Sequence, residues 1–162
     1  MKKTLVSIDF DGTVSPIDQS RDFTESKDWN YYRLGFSCAI HDSVIELLQD
    51  LKAIEPEGNI VSVWGSTWHD STEDFPRNSN GAIPEFPWLN VGANKAEVII
   101  AKAVSEGFER VVIVEDSPAV IRKIKKLALT NTEVEIMTFK PKLELGLTEK
   151  MIAQIRDVLE LP

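Results

Sequence analysis

Three short runs of apolar, β-rich residues constrain this chain more than any other feature: Thr4-Leu5-Val6-Ser7-Ile8, Asn59-Ile60-Val61-Ser62-Val63-Trp64 and Arg110-Val111-Val112-Ile113-Val114. Runs of this kind, bounded by turn signals, suit strands buried on both faces of a sheet. Between the first two, Val44, Leu47, Leu48 and Leu51 recur at helical spacing. Asp42 or Ser43 can cap that helix, Ser43 and Glu46 have capping-box spacing, and Glu55-Pro56-Glu57-Gly58 stops it. His41 lies just outside it. A strand, a helix and a second strand in this order predict a parallel sheet with right-handed crossovers. The alternation continues with a helix from Asn94 to Gly107, another from Ser117 to about Leu129, a strand over Val134 to Met137 and a last helix from Thr148 to Leu159. The expectation is an α/β fold, a mostly parallel central sheet with helices on both faces.

The polar residues sit where the strands end. Asp9 and Asp11 follow the first run two residues apart, so an extended backbone aims both carboxylates the same way before Gly12 turns the chain. Like charges so close ask for a metal ion, a shared proton or full solvation. An Asp-x-Asp alone also fits a polar turn at a sheet edge. Ser66 and Thr67 leave the second run at the carboxyl end of the sheet, where ligands of open α/β folds bind, although either hydroxyl could simply cap the turn. Lys95 stands in the first turn of its helix, and Glu115-Asp116 ends the third run just ahead of Ser117-Pro118, a helix start.

Asp9-Phe10-Asp11-Gly12-Thr13 after an N-terminal apolar strand resembles the first motif of the haloacid dehalogenase-like (HAD) superfamily, most of whose members are magnesium-dependent phosphohydrolases. The resemblance implies a three-layer Rossmann-like fold with Asp9 as nucleophile, Asp11 as general acid/base and Thr13 shaping the loop and helping to bind phosphate. It further implies Ser66, with Thr67 as second choice, as the hydroxyl on the phosphoryl group, Lys95 as the cation of the third motif, and Asp9, the backbone carbonyl of Asp11 and an acid of the Glu115-Asp116 pair as the Mg2+ site. Glu115 departs from the commoner Asp-Asp pair, so either acid of that pair can be the direct ligand. The ending from Pro141 through Gly146-Leu147-Thr148 is similar to that of small HAD-like proteins, many of them phage or bacterial. The implied reaction is hydrolysis of a phosphomonoester through an aspartyl-phosphate. The competing expectation is a non-catalytic divalent-metal-binding or regulatory module on the same fold. A phosphate-accepting receiver domain fits less well, because Asp-x-Asp-Gly-Thr on the first strand is not its arrangement.

The length of 162 residues fits one domain over 1–162 with no separate cap. A segment over 15–41, containing Phe23, Trp29, Tyr31 and Tyr32, is expected to form a flap or minimal cap, and 67–93 a long substrate-side loop in which Trp88 anchors to the core. The net charge of −8 disfavours extended nucleic-acid binding and tilts the substrate towards a small phosphorylated molecule. The one basic cluster, Arg122-Lys123-Ile124-Lys125-Lys126, reads as a solvated helix face. No apolar run has the length of a membrane span, and the single Cys38 has no disulfide partner within the chain, so a cytoplasmic monomer or weak dimer is expected.

Overall fold

The computed structural model describes residues 1–17 and 27–162; Phe23 lies outside the described residues. Four parallel strands form the central sheet: β1 (Thr4–Ile8), β4 (Ile60–Trp64), β5 (Arg110–Val114) and β6 (Glu135–Phe139), in the spatial order β4-β1-β5-β6. Their registers pair Ile8 with both Trp64 and Val114, so β1, β4 and β5 end level with one another. Two further strands, β2 (Trp29–Arg33) and β3 (Ser37–His41), form an antiparallel hairpin separate from that sheet.

Strand alternation divides the core into two layers. Val6, Ile8, Val112 and Val114 face one side, where α1 (Asp42–Ile54) and α5 (Glu149–Leu159) bury Leu47, Leu48, Leu51, Ile152 and Ile155. Leu5, Val63, Val111 and Ile113 face the other, where α3 (Lys95–Ser105) and α4 (Pro118–Ala128) bury Ile99, Ile100, Ile121 and Ile124. The strands are apolar on both faces because each face is covered by a helix pair. This is the three-layer α/β arrangement expected. Among the described residues no helix is long and apolar enough to cross a membrane.

Three local features add to or differ from expectation. Within the segment expected as a flap or minimal cap, 29–33 and 37–41 pair as the hairpin, turning through Gly35 at φ +92°. β2 has only intermediate and exposed positions and β3 buries just Cys38, Ala39 and Ile40, so neither carries the apolar run that marks the central strands. The helix α1 is capped by His41, whose Nδ1 accepts from the Ser43 amide at 3.2 Å, and not by Asp42 or Ser43. The end of β3 holds His41 in extended backbone, which brings its ring over the first turn. The loop over 67–93 is folded back on the body, with a 3-10 helix at His69–Asp74 and a short α2 (Phe75–Asn78). Phe75 is buried against Phe10 and Trp64 at ring distances of 4.7 and 5.7 Å. Trp64 donates to Pro87 O and accepts from Leu89 N, so Trp88 runs beside the end of β4 and its neighbours anchor the loop there.

Candidate active site

The carboxyl ends of β1, β4 and β5 are tied together by the backbone. Asp9 N donates to Val114 O at 2.9 Å and Gly65 N to Ile8 O at 2.8 Å, which extends the ladder one residue past each strand. Asp9 and Glu115 are thereby held by the sheet itself, as rigid a support as the fold offers. Gly12, at φ +72°, carries the chain away. A Cβ there would meet Leu143 Cδ1 at 2.5 Å and Asp116 Oδ2 at 2.8 Å, so both backbone conformation and space require glycine.

Around these ends lies a cavity of about 350 Å3 lined by Asp9, Asp11, Thr67, Lys95, Glu115 and Asp116 among others. Carboxylate oxygens of Asp9, Glu115 and Asp116 lie within 4.8 Å of one another, close enough to share one cation. Lys95 Nζ bridges two of them, 3.0 Å from Asp9 Oδ1 and 2.7 Å from Glu115 Oε2. The other Glu115 oxygen accepts from the Ser117 amide at 3.0 Å, at the entry to α4. Asp11 is not among the three clustered acids. Its Oδ2 accepts from Trp68 Nε1 at 2.8 Å, and Trp68 stacks on Phe36 of the hairpin turn with centroids 4.0 Å apart.

The electrostatics follow from burial and crowding. Burial pushes the Asp116 carboxyl up, and its contact with Asp9 and the charges of Asp9 and Glu115 push it further, to about 7. Burial likewise raises Glu115, with the Asp9 charge adding to it. Asp11 is raised by burial, against the opposing hydrogen bond from Trp68. For Lys95 burial opposes the charged form, but the two carboxylates outweigh it and hold the ammonium above its ordinary range. The floor of the cavity thus has more negative charge than Lys95 alone neutralises. Beside it, Cys38 is buried and near Asp11, and its thiol is pushed up to about 12, which makes it inert as a nucleophile.

Two predicted residues are not on the cavity wall. Thr13 is fully buried, its carbonyl accepts from Leu147 N, and its hydroxyl has no partner among the described residues. Ser66 is buried and its Oγ accepts from Trp68 N at 3.3 Å, a turn-capping contact, whereas Thr67 is exposed and lines the cavity. The sequence did not point to Trp68 as a donor to Asp11, nor to Ile17 and Leu143 as cavity walls. Nothing in a tryptophan after a hydroxyl pair marks it as a donor. The resemblance of the ending from Pro141 to Thr148 covers the segment that carries Leu143 but gives that side chain no role. His41 caps α1 and packs edge-on against Trp29, apart from this cavity, and Arg122, Lys125 and Lys126 are exposed on α4, with Lys123 paired to Glu97.

No family model matches the chain, and no curated protein sequence matches it. Its structure is similar to the solved HAD domain of the effector protein Lem4 from Legionella pneumophila, with a TM-score of 0.66, 98% of this chain and 94% of that chain covered, and 15% identity. At that identity the likeness shows the fold, which is HAD-like.

Proposed function

We propose, taking the HAD-like fold as premise, that this chain is a Mg2+-dependent phosphohydrolase that cleaves a phosphomonoester through an aspartyl-phosphate on Asp9. The observation that carries this reading is Asp9 lying in ion-pair contact with Lys95 while sharing the reach of one cation with Glu115 and Asp116. The donor set fits the ion: carboxylate oxygens alone suit a hard cation, and Asp116, raised first by burial and then by its contact with Asp9 and the nearby negative charges, is a carboxyl that such a cation would keep ionised. Asp9, the backbone carbonyl of Asp11 and an acid of the Glu115-Asp116 pair would hold it, and when bound it would supply positive charge to the phosphoryl oxygens.

The chain's own groups do the rest. Asp9 forms a bond to phosphorus as the bond from phosphorus to the ester oxygen breaks, and Asp11 delivers a proton to that oxygen. Asp11 then takes a proton from a water molecule that attacks the aspartyl-phosphate, which restores Asp9 and releases phosphate. Its raised proton affinity suits both halves of that exchange. Lys95 balances charge between Asp9 and the incoming phosphate, and Thr67 offers a hydroxyl from the wall.

One observation favours the second reading, a metal-binding module without turnover: position 115 is a Glu where the resembled pattern has Asp, and its carboxylate is taken by Lys95 and the Ser117 amide. A panel of phosphomonoesters with Mg2+, and again with a chelator, separates the two. Metal-dependent phosphate release supports the hydrolase. Metal binding with no hydrolysis across the panel supports the module.

A further inference from the structure

Resting on the phosphohydrolase reading, we infer that the site takes monoesters whose alcohol is apolar next to the phosphate, alkyl or aryl, in preference to sugar and polyol phosphates. The acids, Lys95, Thr67 and Ser117 make part of the lining polar, but the rest of it, including Ile17, Val120 and Leu143, carries no side-chain hydrogen-bonding group. Ile17 is 43% and Leu143 45% exposed, among the few large apolar side chains so exposed in the described residues. They come from distant parts of the chain and are tied together where Ile17 N donates to Leu143 O at 2.8 Å. The ledge they form starts immediately beside the acids, since Leu143 Cδ1 and Asp116 Oδ2 both lie within 2.8 Å of one point above Gly12.

An ester whose phosphate sits over the acids therefore sets its first carbons on Leu143 and Ile17. An alkyl or aryl group there removes apolar surface of both partners from water. Sugar hydroxyls in the same place lose water without gaining a side-chain partner from the ledge. Exposed apolar surface continuous with a polar cavity is the usual form of a small-molecule site.

The test compares hexyl phosphate with glycerol 3-phosphate, both dianionic esters of primary alcohols, so the bond cleaved is of the same kind. The expected result is a kcat/KM at least about tenfold higher for hexyl phosphate, the scale of discrimination that apolar contacts give. Leu143→Ser and, separately, Ile17→Ser should each lower that ratio about threefold or more. Equal efficiencies, or a preference unchanged in both variants, overturns the inference and leaves the phosphohydrolase reading in place. Absence of metal-dependent turnover for every ester removes that reading and the inference with it. A concentration-dependent doubling of mass that Leu143→Ser abolishes would give the ledge to a second copy of this chain and also overturn the inference.

Discussion

At the exit of β1 the two carboxylates stand two residues apart with Phe10 between them; at the exit of β5, Glu115 and Asp116 stand side by side. Alternation at the first exit sends Phe10 into the core, against the rings of Trp64 and Phe75, and leaves Asp9 and Asp11 both on the cavity. Adjacent residues cannot share a direction in this way, and the second exit uses that. Glu115 is almost fully buried and its longer side chain reaches Lys95 and the Ser117 amide together, while partly buried Asp116 faces Asp9. An ion pair and a helix start claim the Glu115 carboxylate. Asp116 has no cationic partner among the described residues. The extra methylene of Glu115 thus lets one acid of the pair reach Lys95 while the other stays beside Asp9; on the proposed reading Asp116 would be the acid free to face a cation.

Substitutions can break this contrast, beginning with the largest effect. Asp9→Asn should abolish phosphate release while leaving the circular dichroism spectrum unchanged, and Asp11→Asn should lower kcat by about 10²-fold to 10⁴-fold. Near-normal turnover by either would show that the β1 exit does not carry the chemistry. At the β5 exit the two acids should fail differently. Asp116→Asn should weaken Mg2+ binding about tenfold or more by calorimetry with little loss of stability. Glu115→Gln breaks a buried pair and should lower unfolding stability by about 3 kcal/mol in urea titration. The same phenotype from both would erase the division of labour.

Trp68→Phe keeps an aromatic ring beside Phe36 but removes the donor to Asp11. It should lower kcat about tenfold, the worth of a hydrogen bond to a charged group. The bond lowers the Asp11 pKa, so its loss should move the Asp11-dependent limb of the pH-rate profile to higher pH. A scaled profile with an unmoved limb would reduce Trp68 to packing.

The smallest effect is on stability against pH. Asp116 has a folded pKa near 7 against 3.8 in the unfolded chain, so the folded state alone holds its proton between those values. Its contribution to stability is therefore full at low pH and is lost as pH rises towards 7. Mg2+ replaces that proton, so its stabilising shift in Tm should be larger at pH 8 than at pH 5, by about 3 °C. Asp116→Asn should flatten the difference.

The strand ends were legible in the sequence because uniform apolar runs such as Val111 to Val114 have one good solution, a central strand, and the acids follow them without a gap. Lys95 was legible for a related reason: a helix start fixes where its first turn points. The hairpin was not. Trp29–Arg33 has no fully buried position, so it offers none of the apolar run by which the central strands are read. Trp68 and Leu143 escaped because their roles come from tertiary contacts, a donor meeting Asp11 from 57 residues away and a loop crossing Gly12. Ser66 ranked ahead of Thr67 from the sequence, but the turn uses the Ser66 hydroxyl for its own amide and it is Thr67 that lines the cavity.

The central claim is that Asp9 shares a divalent cation with the acids of the β5 exit. Anomalous diffraction from crystals soaked in Mn2+, a scattering substitute for Mg2+, addresses it without recourse to activity. The account predicts a peak in contact with carboxylate oxygens of Asp9 and Asp116 beside Lys95. A well-occupied peak elsewhere, or Asp9 and Asp116 turned apart with no ion between them, would contradict it.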